Sequence, residues 1–241
     1  MTLSSGQRGA PVHSWPYLFA AALCYAVCAC TAQGIVLEAA GDSTEPLSFS
    51  TGAEHTCMVR SGIVYCWGRN TVGQLGRAAS ERETSPLPVG NSWQASNVTV
   101  GERHSCALSS TGRVYCWGGN DHGQLGDGQR TDRSEPGLVA LPSPATSVST
   151  RFNHTCVVLD DSSAHCWGAN FEGQLGQGGI GAAEDDGSLD ALSPAPLSGR
   201  YVSVATGQGH SCGVRIDGTL WCWGRNTAHQ TSGGPEDQLR L

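Results

Sequence analysis

The chain has 241 residues, 39% of them hydrophobic and 15% charged, with 33 glycines and 11 prolines; that is enough apolar material for a sizeable core and too turn-rich for many long helices. Lysine is absent, so the 14 cations are arginines scattered along the chain, and 21 acidic residues give a net charge of -7. This argues against a phosphate-binding surface, hence against nucleic acid as a partner, and favours an all-β fold with an acidic, solvated exterior.

The first segment differs in kind from the rest. Arg8 is its one formal charge, an apolar run extends from Trp15 to Ala29, and Cys30-Thr31-Ala32-Gln33 follows. The run is too short to span a bilayer comfortably and suits the apolar centre of a secretory signal. Residues 1–33 are read as an export signal and 34–47 as a linker. The stretch Val27-Cys28-Ala29-Cys30 has the form of a bacterial lipoprotein processing box. It would make Cys30 the lipidated residue and attach the chain to a membrane, although Cys28 is unusual in that place.

From residue 48 to 241 the chain repeats itself, the last copy being degenerate. His55-Thr56-Cys57, His104-Ser105-Cys106, His154-Thr155-Cys156 and His210-Ser211-Cys212 are followed by Tyr65-Cys66-Trp67-Gly68, Tyr115-Cys116-Trp117-Gly118, His165-Cys166-Trp167-Gly168 and Trp221-Cys222-Trp223-Gly224. First cysteines stand 49, 50 and 56 residues apart, about the length of a four-stranded propeller blade. An Asn follows each Trp-Gly, at 70, 120, 170 and 226, and three copies continue into Gly-Gln-Leu-Gly, at 73–76, 123–126 and 173–176. The fourth reads His229-Gln230-Thr231-Ser232, so the last unit is expected to be degenerate or cut short.

Each unit reads as a hairpin. Facing Cys57 with Cys66 leaves Ser61-Gly62 as a two-residue turn. The second and fourth copies are one residue longer, and leave Ser110-Thr111-Gly112 and Ile216-Asp217-Gly218 as three-residue loops with glycine in the left-handed position. The third must place Ser162 where glycine is favoured. Counting outward from the turns puts every cysteine pair on a non-hydrogen-bonded site, where Cα atoms lie about 4.5 Å apart, within reach of a disulfide. The expected bridges are Cys57 with Cys66, Cys106 with Cys116, Cys156 with Cys166 and Cys212 with Cys222. They would staple single hairpins and could not hold units to one another. Strand alternation sets the cysteines and His55 on one face and Tyr65 and Trp67 on the other, so both faces want cover. Radial stacking of blades supplies it.

The His-Thr/Ser-Cys strand, the Val-Tyr-Cys-Trp-Gly strand and the Asn-x-x-Gly-Gln-Leu-Gly turn, in register over residues 48 to 232, resemble the regulator of chromosome condensation repeat family. The resemblance implies a β-propeller, seven-bladed in the family. With four units here, it implies an incomplete or open propeller, a fragment, or a ring closed by a second molecule. The nucleotide-exchange and chromatin-binding roles known in the family conflict with an export signal, four cysteine pairs and an acidic surface. The Gly-Trp-Arg-His-Thr motif of a light-sensing branch is matched by Gly101-Glu102-Arg103-His104-Ser105, which lacks the tryptophan. A secreted bacterial β-lactamase inhibitor shares fold and compartment, but its binding loops are not recognisable in this sequence.

Three sharper readings compete with plain ones. A His beside two Cys could make zinc ligands, but paired cysteines behind an export signal favour oxidation and a hydrogen-bonded His. Trp67, Trp117, Trp167 and Trp223 could line a ligand groove, but a residue required in every unit serves packing between units. The acidic run from Glu184 to Asp190 could hold calcium, but it lacks a loop motif. Variable segments 77–88, 127–136 and 178–196 are therefore where a binding site is sought. No nucleophile elbow, phosphate loop or zinc-protease motif occurs, so no enzyme and no cofactor are expected. Asp217-Gly218-Thr219 with Trp221 matches in part a turn found in sugar-hydrolysing propellers. The reading is an exported or envelope-anchored scaffold that binds a protein or surface ligand and is capable of self-association through open blade edges; the alternative is a carbohydrate-active or lectin-like surface propeller.

Overall fold

The computed structural model describes residues 48–90, 92–177 and 191–231. The export signal, the linker, Cys30 and the acidic run from 184 to 190 lie outside these. Among the described residues the secondary structure is all β-strand, in four antiparallel sheets. Blade one is β1 (Ser48–Thr51), β2 (His55–Arg60), β3 (Ile63–Asn70) and β4 (Ser80–Pro88). Blade two is β5 (Ala95–Val100), β6 (His104–Ser109), β7 (Val114–Gly118) and β8 (Arg133–Leu138). Blade three is β9 (Ala145–Arg151), β10 (His154–Leu159), β11 (Ala164–Gly168) and β12 (Ala191–Pro196), and blade four is β13 (Tyr201–Thr206), β14 (His210–Arg215) and β15 (Leu220–Gly224). Strands pair in chain order within each sheet. The described residues form an incomplete propeller.

Turn chemistry sets the hairpin registers. In blade one Arg60 faces Ile63 and Cys57 faces Cys66; Ser61 and Gly62 both take positive φ, 50° and 74°, as a primed two-residue turn requires. Blades two and four absorb their extra residue with Gly112 and Gly218 at φ 77° and 82°. Ser162 takes that conformation at φ 69° in blade three, a strained choice for a residue with a Cβ. The cysteines stay opposite one another and are bonded in all four hairpins, with Cα atoms 4.0 to 4.2 Å apart.

The glycine after each central tryptophan has a mechanical role. Gly68, Gly118, Gly168 and Gly224 take φ between 100° and 106°, and a Cβ on Gly68 would lie 2.4 Å from the Glu54 carbonyl oxygen. The turn that follows is tied by its asparagine: Leu75, Leu125 and Leu175 each donate a backbone N–H to Asn70, Asn120 and Asn170 Oδ1.

The fourth unit is described as far as residue 231, and three strands lie among those residues. Its turn survives the loss of both glycines and the leucine. Thr231 donates its N–H to Asn226 Oδ1 at 3.1 Å, Ala228 donates to Gln230 Oε1 at 2.8 Å, and His229 takes φ 58° where Gly173 has 77°. The Asn and Gln carry the turn's hydrogen bonds, and His is among the residues that tolerate the left-handed region.

Apolar cores lie between blades. Cys57, Val59, Val64, Cys66, Leu75 and Val89 of blade one pack against Ala95, Val98, Val100, Ala107 and Trp117 of blade two. The same pattern joins blade two to three through Trp167, and three to four through Tyr201 and Trp223. Each blade therefore offers a cysteine-bearing trailing face to the next blade and a tryptophan-bearing leading face to the one before.

Candidate binding surface

The recurring polar residues build a single joint, used three times. Trp117 Nε1 donates to the Gln74 carbonyl at 3.0 Å, Trp167 to Gln124 at 2.9 Å and Trp223 to Gln174 at 2.8 Å. The hydroxyls of Ser105, Thr155 and Ser211 donate to the same three carbonyls at 2.8, 3.1 and 2.9 Å. The histidine of the earlier blade meets each hydroxyl through Nε2: His55 to Ser105 at 2.9 Å, His104 to Thr155 at 3.0 Å, His154 to Ser211 at 2.9 Å. Because each hydroxyl proton points to a carbonyl, the hydroxyl oxygen accepts and Nε2 carries the proton.

That assignment leaves Nδ1 bare, and Nδ1 of His55, His104 and His154 is buried without a hydrogen-bond partner. Protonating it would create a buried charge with nothing to receive the new N–H. Burial accordingly holds His55 at about 4 and His104 and His154 at about 3. His55, His104 and His154 are neutral structural donors, and the cysteines of all four hairpins are disulfides. The cysteine sulfurs of the His-Cys-Cys groups are bonded to one another, and no cluster of metal-ligating side chains occurs among the described residues.

The repeated tryptophans behave likewise. Trp117 and Trp167 are fully buried in joints, so neither lines a ligand groove. What differs between blades lies elsewhere. Segments 77–88 and 127–136 contribute to the fourth strands of their blades, β4 and β8. The second is anchored by Asn120, whose Nδ2 reaches Asp127, Gln129 and Thr131. Of 178–196 the described part is β12.

A cleft of about 840 Å³ lies at another place, between the hairpin end of blade two and the connection into blade three, bounded by Trp93, Tyr115, Leu141, Pro142 and Pro144. Trp93 stacks flat on Tyr115, with centroids 4.2 Å apart and planes 2° from parallel, and Leu138 at the rim is 54% exposed. Sequence reasoning overlooked this site. Its signal was available, because Trp93 stands outside the repeat motif and its counterparts in the next two blades are Ser143 and Gly199. On blade four the corresponding end carries Arg215, 3.8 Å above Trp221 and 5.6 Å from Tyr201. The Asp217-Gly218-Thr219 loop there is closed by Thr219 N and Oγ1 donating to Asp217 Oδ1, and by Trp221 Nε1 donating to Thr219 Oγ1. Its aspartate is committed to the turn.

Fold and joints together define a β-propeller-type repeat protein, here with a disulfide in every described blade. Two family models, both described as the regulator of chromosome condensation (RCC1) repeat, match it, one at 47–74, 95–124, 146–174 and 201–230 and the other at 61–108 and 111–158. The chain belongs to the RCC1 repeat family. No curated protein matches it by sequence. Among solved structures it is similar to yeast RCC1 (Prp20) bound to Kap60, at 24% identity and TM-score 0.68, covering 81% of this chain and 47% of that one. Human WBSCR16 matches at 20% identity and TM-score 0.68, covering 79% and 51%. Prp20p from Saccharomyces cerevisiae, whose structure is described with its binding to Gsp1p and histones, matches at 23% and 0.68, covering 84% and 51%. These likenesses establish the fold, and the chain spans about half the length of each relative.

Proposed function

We propose that this chain is an exported or envelope-anchored binding scaffold without catalysis of its own, recognising a protein or surface ligand through side chains that do not recur from blade to blade. One observation carries the reading: the recurring His, Ser/Thr and Trp side chains of the interior joints are committed to those joints, the paired cysteines are committed to disulfides, and the Trp93–Tyr115 cleft is built on Trp93, where the next two blades have Ser143 and Gly199. Disulfides in all four hairpins fit an oxidising compartment, and residues 1–33, with Cys30 as lipid acceptor, supply the route. Yeast Prp20 is described as binding Gsp1p and histones; an acidic, disulfide-bonded relative in another compartment is expected to take other partners.

Trp93→Ala tests the cleft. The variant should melt within a few degrees of the parent and lose binding to ligands immobilised from the native cell surface; equal binding by both proteins would refute the assignment. Fusing residues 1–47 to a reporter that is active only when oxidised tests export, and loss of lipid labelling on Cys30→Ala tests the anchor.

A lectin-like reading follows from the same flat aromatic stack, since sugar rings pack on such faces. A glycan array with quenching of Trp93 fluorescence would distinguish it from protein recognition.

A further inference from the structure

We propose that the chain associates head to tail with a second copy of itself, the leading face of blade one seating on the trailing face of blade four. The proposal rests on the joint between blades and not on which ligand the scaffold carries. The joint occurs three times within the chain with the same donors and acceptors, and the two terminal faces carry its two halves.

Blade one presents the half that each later blade uses to meet its predecessor. Thr56 occupies the position of Ser105, Thr155 and Ser211, and Trp67 that of Trp117, Trp167 and Trp223. Among the described residues neither makes the bond its counterparts make, and Trp67 is only half-buried where Trp117 and Trp167 are fully buried. Phe49 is sharper evidence. It sits opposite Met58 as Val98 sits opposite Ala107 and Val148 opposite Val157, yet it is 68% exposed while those valines are 2% and 7% exposed. A large aromatic ring left open at a position that is closed in two interior joints is a contact awaiting a partner.

Blade four presents the complementary half. His210 stands where His55, His104 and His154 stand, and the main chain of Gln230 lies where that of Gln74, Gln124 and Gln174 receives Trp and hydroxyl donors. Cys212, Val214, Leu220 and Cys222 are half-buried, whereas the matching Cys57, Val59, Val64 and Cys66 are at most 3% exposed. In a head-to-tail joint Trp67 Nε1 and the Thr56 hydroxyl of one copy donate to the Gln230 carbonyl of the other, and His210 Nε2 donates to Thr56. Phe49 then covers the Cys212–Cys222 disulfide.

Three substitutions make this joint weaker than the interior ones. Ala205 replaces Ser50, Thr99 and Ser149, whose side-chain oxygens accept an N–H from the next blade at 3.1 Å. Thr231 replaces the buried Leu75, Leu125 and Leu175, and Ser232 replaces Gly76, Gly126 and Gly176, beside whose Cα the next tryptophan packs closely. The contact is therefore reversible and concentration-dependent. Being heterologous, it gives a two-copy ring if the rotation closes and longer chains if it does not.

The test is the mass of the full chain by light scattering under non-reducing conditions, with Cys30→Ala to prevent lipid attachment, over a concentration series. Parent protein should grow in mass with concentration into multiples of the monomer. Phe49→Glu on the leading face and Leu220→Glu on the trailing face should each abolish growth, with circular dichroism unchanged. Mixed in equal amounts, these two variants should form a heterodimer, because each retains one intact half. A parent that stays monomeric, association unaffected by either substitution, or variants that fail to complement would each overturn the proposal.

Discussion

Replacing Thr155 by Val removes one oxygen from the middle of a joint and keeps the shape. Thr155 is fully buried between His104 and the Gln124 carbonyl. The carbonyl retains Trp167 Nε1 as a donor, so the damage falls on His104, whose Nε2–H loses its acceptor while Nδ1 is already without a partner. An orphaned buried donor costs about 1–3 kcal/mol. Taking about 2 kcal/mol, a domain of this size should melt about 4–8 °C lower. Thr155→Ser keeps the oxygen and loses a methyl group worth about 0.8 kcal/mol, and serine already fills this role at 105 and 211. The two variants and the parent should be melted side by side by circular dichroism at pH 7.5 without reductant. Equal losses for Val and Ser would show that the methyl group and not the hydroxyl matters, and would refute the relay of His, hydroxyl and carbonyl.

Acid should weaken the fold through its buried histidines. His55, His104 and His154 are held at about 4, 3 and 3 when folded against about 6.5 unfolded, so between pH 6.5 and 4 the unfolded chain binds protons that the folded chain refuses. Stability is fully present above pH 7 and falls with pH by up to about 1.4 kcal/mol per pH unit for each histidine; urea midpoints measured from pH 7.5 to 4.5 should drop, and a flat profile would contradict neutral burial. Ser162→Gly relieves a left-handed serine and should stabilise by about 0.5–1 kcal/mol, read as a higher melting temperature, whereas a fall would mean the side chain holds the loop. Each disulfide closes a loop of 9 or 10 residues in sequence separation and should contribute about 2–3 kcal/mol. Peptide mapping without reduction should recover four bridged hairpins, and thiol reductant should lower the melting temperature.

The sequence by itself determined what is local and periodic. Hairpin length and turn residues are encoded within about a dozen positions, so Ser61-Gly62, Ser110-Thr111-Gly112 and Ser162 could be placed, and with them the facing of each cysteine pair. Alternation along a strand likewise assigns His55 and Trp67 to opposite faces, and a 50-residue repeat announces stacking. Tertiary structure alone decided what each face meets. That the Ser105 hydroxyl would sit between His55 and the Gln74 carbonyl depends on the rotation of one blade against the next, and 31 residues separate serine from glutamine. The survival of the fourth turn shows the same division: motif letters counted glycines, whereas the turn is held by Asn226 and Gln230. Trp93 was legible only as an odd residue between repeats. Its stack on Tyr115 joins two stretches 22 residues apart through the packing of a hairpin end on the strand connection, and such a meeting has no period for a sequence to display.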